Sequence, residues 1–348
     1  MRRMAWVAAA LIAVPVSAQD VERVSGSHVA IYNLAGHVEV VRGSGADVVV
    51  RISRGGADAS ALRVETGRLG GRETLRIIYP DDEIVYRQMG RGSRTSLSVR
   101  SDGTFSDGNG GGGGRVRIRG TGSGLEAWAD LVIEVPDGID FAIYLAVGEV
   151  EANGVEADLL IDTGSGSVTA TNITGSLDID TGSGRVTVRG VDGDLYVDTG
   201  SGRVEFSDVV AYEIEIDTGS GGVKGSRLEA ELLSVDTGSG PIDLQSVTSS
   251  EVTLDTGSGS IDIELMTDIE RLDADTGSGS VTIRAPSDLG AVIDIETGSG
   301  GIDLDFPLEV RSIRRDHVRG TIGDGRGQIR VDTGSGSIRL IRTNSRIR

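Results

Sequence analysis

The sequence predicts an all-β protein: a parallel β-solenoid, or β-helix, of about ten coils of 18–21 residues behind a β-rich N-terminal cap. Three observations predict it. First, the phrase Asp162-Thr163-Gly164-Ser165-Gly166 returns at Asp180, Asp198, Asp217, Asp236, Asp255 and Asp275, as Glu296-Thr297-Gly298-Ser299-Gly300, and again at Asp332. The steps between copies are 18, 18, 19, 19, 19, 20, 21 and 36 residues. A fixed period near 20 is how stacked repeats read in sequence. Second, the segments flanking the phrase alternate apolar and polar residues, and no useful length carries a 3.6-residue apolar stripe. Third, 53 glycines and 3% aromatics in 348 residues suit a thin Val, Ile and Leu core shared between neighbouring coils.

One coil shows why the repeat folds this way. In Leu177-Asp178-Ile179-Asp180-Thr181-Gly182-Ser183-Gly184-Arg185-Val186-Thr187-Val188, side chains alternate between the faces of a strand. Leu177, Ile179 and Thr181 fall inward, and Val186 and Val188 face inward again after the bend. Asp178, Asp180, Arg185 and Thr187 point out. Gly-Ser-Gly marks the corner, where close backbone approach or positive φ is tolerated cheaply only by glycine. A short third side around Val191 closes the coil.

Taken in order, the chain opens with Arg2 and Arg3, an apolar stretch from Ala5 to Val16, and Val16-Ser17-Ala18. This is the pattern of a Sec signal peptide (residues 1–18), cleaved after Ala18. It places the mature chain in the periplasm, or secreted to the cell surface, and no other apolar run is long enough to span a bilayer. Residues 19–100 read as the β-rich cap, with Val29 to Val41 and Val48 to Ile52 giving hairpin signals around Gly43-Ser44-Gly45. Residues 101–124, around Asn109 to Gly114, read as a Gly-rich flexible loop. Residues 125–348 read as the solenoid. Val150 lies 18 residues before Val168, so the stretch ending there aligns as a degenerate first coil. The final step of 36 reads as two steps of 18 with one copy missing, and Arg311 to Arg319 as an excursion from the wall.

The net charge of −19 is unevenly spread. Residues 121–299 hold 35 Asp and Glu against 7 Lys and Arg, whereas the segments on either side are mildly basic. Such a surface repels nucleic acid and anionic lipid. It also keeps a strand-rich surface soluble. With no cysteine there is neither a disulfide framework nor a lipid attachment point.

The TGSGx[VI]x[VI] coils, the opening Tyr32 to Val40, the turn Val135-Pro136-Asp137-Gly138 and the closing Gly323 to Ile338 together resemble the bacterial putative adhesin family. That family is a domain of unknown function made of β-strand repeats, related to the head-domain auto-transporter adhesins. The resemblance covers nearly all of the mature chain. It implies an exported β-solenoid and carries no catalytic residue to transfer.

Asp-Thr-Gly-Ser is also the active-site phrase of aspartic proteases, and Leu159-Leu160-Ile161 supplies the apolar lead-in. That chemistry needs two carboxylates facing each other and sharing a proton. Nine copies at coil spacing instead set the carboxylates in one row. Neighbours about 5 Å apart repel by about 1 kcal/mol in water. The row Asp162, Asp180, Asp198, Asp217, Asp236, Asp255 and Asp275 is therefore well solvated, or accepts corner N–H groups as Asx turns, or holds cations. Calcium bound weakly by these oxygens is the candidate metal; no other cofactor is expected. His28, His37 and His317 lie far apart in sequence, no GxSxG elbow occurs, and Trp128 reads as a packing residue of the cap. The function expected is a non-catalytic scaffold, an adhesin or envelope-binding protein whose partner is a protein or glycan. The alternatives are a carbohydrate-active β-helix enzyme, or a structural or signalling partner in the envelope with the basic ends as contacts.

Overall fold

The computed structural model describes residues 20–105 and 113–343; the leader expected at 1–18 and part of the glycine run lie outside them. The described chain is all-β, with two short 3-10 turns, Ala59–Ala61 and Arg87–Met89, and no α-helix among the described residues. No helix there is long and apolar enough to cross a membrane.

Parallel strands stack in register, layer upon layer. On one side, Asp158–Ser165, Leu177–Thr181 and Leu195–Thr199 lie beside one another, followed by the C-terminal halves of Val204–Thr218, Val223–Thr237 and Ile242–Thr256. Like meets like: Leu177 pairs with Leu195, Asp180 with Asp198 and Thr181 with Thr199. A second side is built from Val168–Thr174, Val186–Asp192 and the N-terminal halves of the same long strands. Ile173, Val191, Val209, Leu228 and Val247 line up on a short third side. Register is forced because a slip of one residue would turn every inward side chain to solvent. Leu177, Ile179, Val186, Val188 and Val191 are all buried, as the alternation predicts. Val150 pairs with Val168, as their spacing predicts. The bend between the second and third sides is made by Asn172, Asp208, Arg227 and Ser246, which share the left-handed conformation at φ 55–59°.

The corner phrase holds the layers together through its threonine. Gly240 N–H donates to Thr237 Oγ1 at 3.0 Å within one coil. Thr237 Oγ1 in turn donates to the carbonyl of Gly221 in the coil before, at 2.9 Å. Thr256, Thr276 and Thr333 repeat the second bond to Gly240, Gly259 and Gly279 at 3.0, 2.8 and 2.8 Å. The second glycine of the phrase is fixed by contact with the layer below. A Cβ on Gly221 would stand 1.6 Å from the carbonyl oxygen of Gly202, a distance no side chain tolerates.

The two ends depart from the order of the sequence. His28–Arg42 pairs in register with Asp140–Asn153, so the stack includes a layer from the segment expected to be purely cap. Nor do His28–Arg42 and Val48–Gly55 form the expected hairpin. Trp128–Val135 lies between them, parallel to the first and antiparallel to the second. Gly114–Arg119, expected within a flexible loop, is a strand between Glu83–Val85 and Arg94–Val99. Val116 and Ile118 supply the reason: they alternate inward and are buried against a second small core with Tyr32 and Tyr144.

At the C-terminal end, Gly327–Thr333 stacks directly on Arg271–Thr276, pairing Asp332 with Asp275. Ala291–Thr297 lies beyond it, with Glu296 against Asp332. The second side repeats this order, with Ile338 between Val281 and Ile302. The 36-residue step is therefore not a missing coil. The last layer of the sequence is inserted ahead of the one before it, and Glu309–Ile313 with His317–Ile322 forms an antiparallel hairpin over Ala291–Thr297.

The threonine ladder has two gaps, because the buried hydroxyls of Thr163 and Thr181 find no hydrogen-bond partner. Thr237→Val orphans the buried Gly240 N–H and should cost about 1–3 kcal/mol. Thr181→Val replaces an unsatisfied hydroxyl with a methyl group and should leave the melting temperature unchanged or raised. Thermal melts of the two variants check this, and equal losses would contradict it.

Candidate functional site

The seven aspartates singled out by sequence stand side by side. Asp162, Asp180, Asp198, Asp217, Asp236, Asp255 and Asp275 pair rung to rung on the outer face of the first side. Asp332 and then Glu296 extend the row. In the other direction it continues into Tyr144 and Tyr32, whose rings stack at 4.5 Å under the three-stranded sheet. Carboxylates on adjacent rungs are thus held about one strand spacing apart, near 4.8 Å.

The corner N–H groups do not go to these aspartates; the threonine hydroxyls take them from inside the coil. This leaves the carboxylates as outward-facing charges. None forms an ion pair among the described residues, although pairs such as Arg271–Asp273 and Arg319–Asp294 form two residues away along the strand. The electrostatics follow. Partial burial beside Leu160 and Tyr144, then repulsion from Asp180 and Asp178, pushes the carboxyl of Asp162 up to about 7. Desolvation first and neighbouring carboxylates second also raise Asp178, Asp180, Asp217, Asp255 and Asp275. At Asp275 the nearby Arg330 opposes the rise. Among the described residues no three Asp, Glu or His side chains converge into a cage for a metal ion. The row is a line of outward-facing carboxylates, joined at Asp178 by a neighbour on the same face.

Elsewhere the candidate residues stay apart. His28 meets Asp140 at 3.0 Å, and His317 meets Asp294 at 2.7 Å. Trp128 lies over Gly55 and 5.9 Å from the Tyr86 ring, in a packing position. The carboxylates of the DTGS phrases run along one line and do not face each other, so the protease arrangement is not formed.

A second surface was missed in the sequence. On the third side, Val210 and Tyr212 stand 51% and 64% exposed beside a groove of about 990 Å³. Its floor is made by Ala211, Ala230 and Ser249, and its edge by Glu229, Glu231 and Glu270. The available signal was the run Val209-Val210-Ala211, where alternation breaks and one valine must face out.

In-register layers of a short Gly-rich phrase define the class, a β-strand-repeat domain. Residues 176–340 match the family described as Toastrack DUF4097, a likeness over the repeat region that agrees with the sequence resemblance. No curated protein matches. Among solved structures, the chain is similar to a putative adhesin from Bacteroides fragilis, with 11% identity, a TM-score of 0.36, and 94% and 99% of the two chains covered. It is also similar to a putative cell adhesion protein from Clostridium sporogenes, with 10% identity, a TM-score of 0.19 and the same coverage. At those values neither likeness bears on what this chain binds.

The raised carboxyls make stability depend on pH with a definite sign. Between the ordinary Asp value of 3.8 and about 7, the folded chain keeps a proton on Asp162 that the unfolded chain has lost. Stability from this group is fully present below the lower value and falls as pH rises through the window. Asp162→Asn should therefore melt higher than the parent at pH 8, by about 2 °C or more, and no differently at about pH 3. Melts from about pH 3 to 8 check it.

Proposed function

We propose that the chain is an exported, non-catalytic parallel β-solenoid of about ten coils, an adhesin-like scaffold for a protein or glycan of the cell envelope or surface. The observation that carries this reading is the carboxylate row. It is outward-facing, unpaired and spread along one side, an arrangement suited to repeated weak contacts rather than to concentrating acid–base chemistry at one point. General acid–base and covalent mechanisms need two or three groups converging on a single reacting bond. The match to a β-strand-repeat family supports the scaffold reading. The Sec-type leader supports export, which N-terminal sequencing of the mature protein, expected to begin at Gln19, checks directly.

Three measurements test the reading. Glycan-array binding and envelope cross-linking with the purified chain should capture a surface glycan or protein. A reducing-sugar assay on the same preparation should show no product; steady sugar release would replace the scaffold with a carbohydrate-active enzyme. Weak divalent binding along Asp162 to Asp275 belongs to the same proposal. Millimolar calcium should raise the melting temperature above that in chelator, and Asp217→Asn/Asp236→Asn should reduce the difference. Coincident melts would remove the cation from the proposal.

A further inference from the structure

Exposed large apolar side chains are scarce in the described residues: Val21, Val210, Tyr212, Val310 and Ile313. Four of the five fall into two patches. Val210 and Tyr212 stand on the third-side groove, whose edge carries Glu229, Glu231 and Glu270. Val310 and Ile313, 52% and 68% exposed, stand on Glu309–Ile313, the outer strand of the C-terminal hairpin, every residue of which is exposed. That hairpin also presents Arg311, Arg314 and Arg315, all exposed and none in an ion pair among the described residues. Glu229 and Glu270 likewise lack an ion pair there, and the Glu231 carboxylate accepts the Ser250 hydroxyl, at 3.0 Å.

The two patches complement one another in three respects. One is concave, with a floor of small side chains, and the other is a projecting two-stranded ribbon. One is acidic on balance, with Glu229, Glu231, Glu270 and Asp268 against Arg326, which pairs with Asp324. The other is basic on balance, with Arg311, Arg314, Arg315 and Arg319 against Glu309 and Asp316. Each brings a pair of apolar side chains that would lose water on contact, and opposite charges at the edge would fix orientation and speed encounter. Within one chain no ion pair joins them.

We propose that the acidic third-side groove of one chain receives the basic hairpin, residues 309–319, of a second copy. The contact is heterologous, different patches meeting head to tail, so it builds a ring if the rotation closes and an open string if it does not. It passes through exposed charges, so salt weakens it. Glu309–Ile313 is hydrogen-bonded on one side only, which leaves its outer edge free for the partner.

The test is a charge exchange, read by sedimentation of the mature chain at low salt and at about 0.5 M salt. The parent should associate as concentration rises and dissociate at high salt. Glu229→Lys/Glu231→Lys and Arg314→Glu/Arg315→Glu should each be monomeric alone, with unchanged melting to show that the fold survives. Mixed in equal amounts they should associate again, because each groove then faces a hairpin of opposite charge. A parent that stays monomeric, an association that ignores the reversals, or a mixture that fails to recover overturns the proposal. So does a monomeric parent whose groove binds an Arg-rich peptide, since the occupant is then a different partner.

Discussion

Everything in this molecule depends on identical rungs meeting at the Gly-Ser-Gly corner. There the backbone of one coil passes so close to the carbonyl of the coil below that a single methyl group would collide, as at Gly221 over Gly202. Close approach removes water from the corner, and a dry corner must satisfy its own N–H and C=O groups. Threonine does this with one hydroxyl, accepting within its coil and donating to the coil before. Phrase, period and register are thus three aspects of one constraint. Slipping one strand by a residue against its neighbour would leave the hydroxyl without its carbonyl and turn the inward side chains outward.

The same constraint creates the electrostatic cost. If the threonines must align, the aspartates beside them must align too, on the opposite face of the strand. Their mutual repulsion is a by-product of register and is held down by exposure to water. The carboxyl pushed up furthest is Asp162, chiefly because solvent is partly excluded there beside Leu160 and the stacked tyrosines. A surface of this kind resists indiscriminate pairing of like with like, since edges and faces of equal charge repel. Any lasting contact between copies has to use residues outside the row.

What the sequence made legible was whatever the period states directly. The alternation in Leu177 to Val188 predicts the buried positions, the 18-residue spacing of Val150 and Val168 predicts their pairing, and nine copies of one phrase predict a row. What escaped was set by long-range choices that local pattern does not encode. Asp332 could stack on Asp275 or on Glu296 with the same rung chemistry, and spacing alone suggests an absent copy. Trp128–Val135 reads as a strand, but nothing local says that it comes between two strands that look like a hairpin. At the candidate site the identity of the acceptor was hidden in a similar way. Asp and Thr are adjacent and both can cap a corner, and only the direction each side chain takes decides that threonine does so.

The interleaved C-terminal layer changes what happens at the chain's end. In a simple stack the terminal segment is the outermost and the first to fray, which makes it the usual entry for a protease. Here residues 327–333 and 338–340 are paired on both edges, between Arg271–Pro286 and the strands at 291–304. The outermost strands here belong to an internal hairpin. Assembly order is likewise separated from synthesis order. Residues 327–340 have to enter a slot between two segments made before them, so the layer at 291–304 cannot settle until they have been delivered.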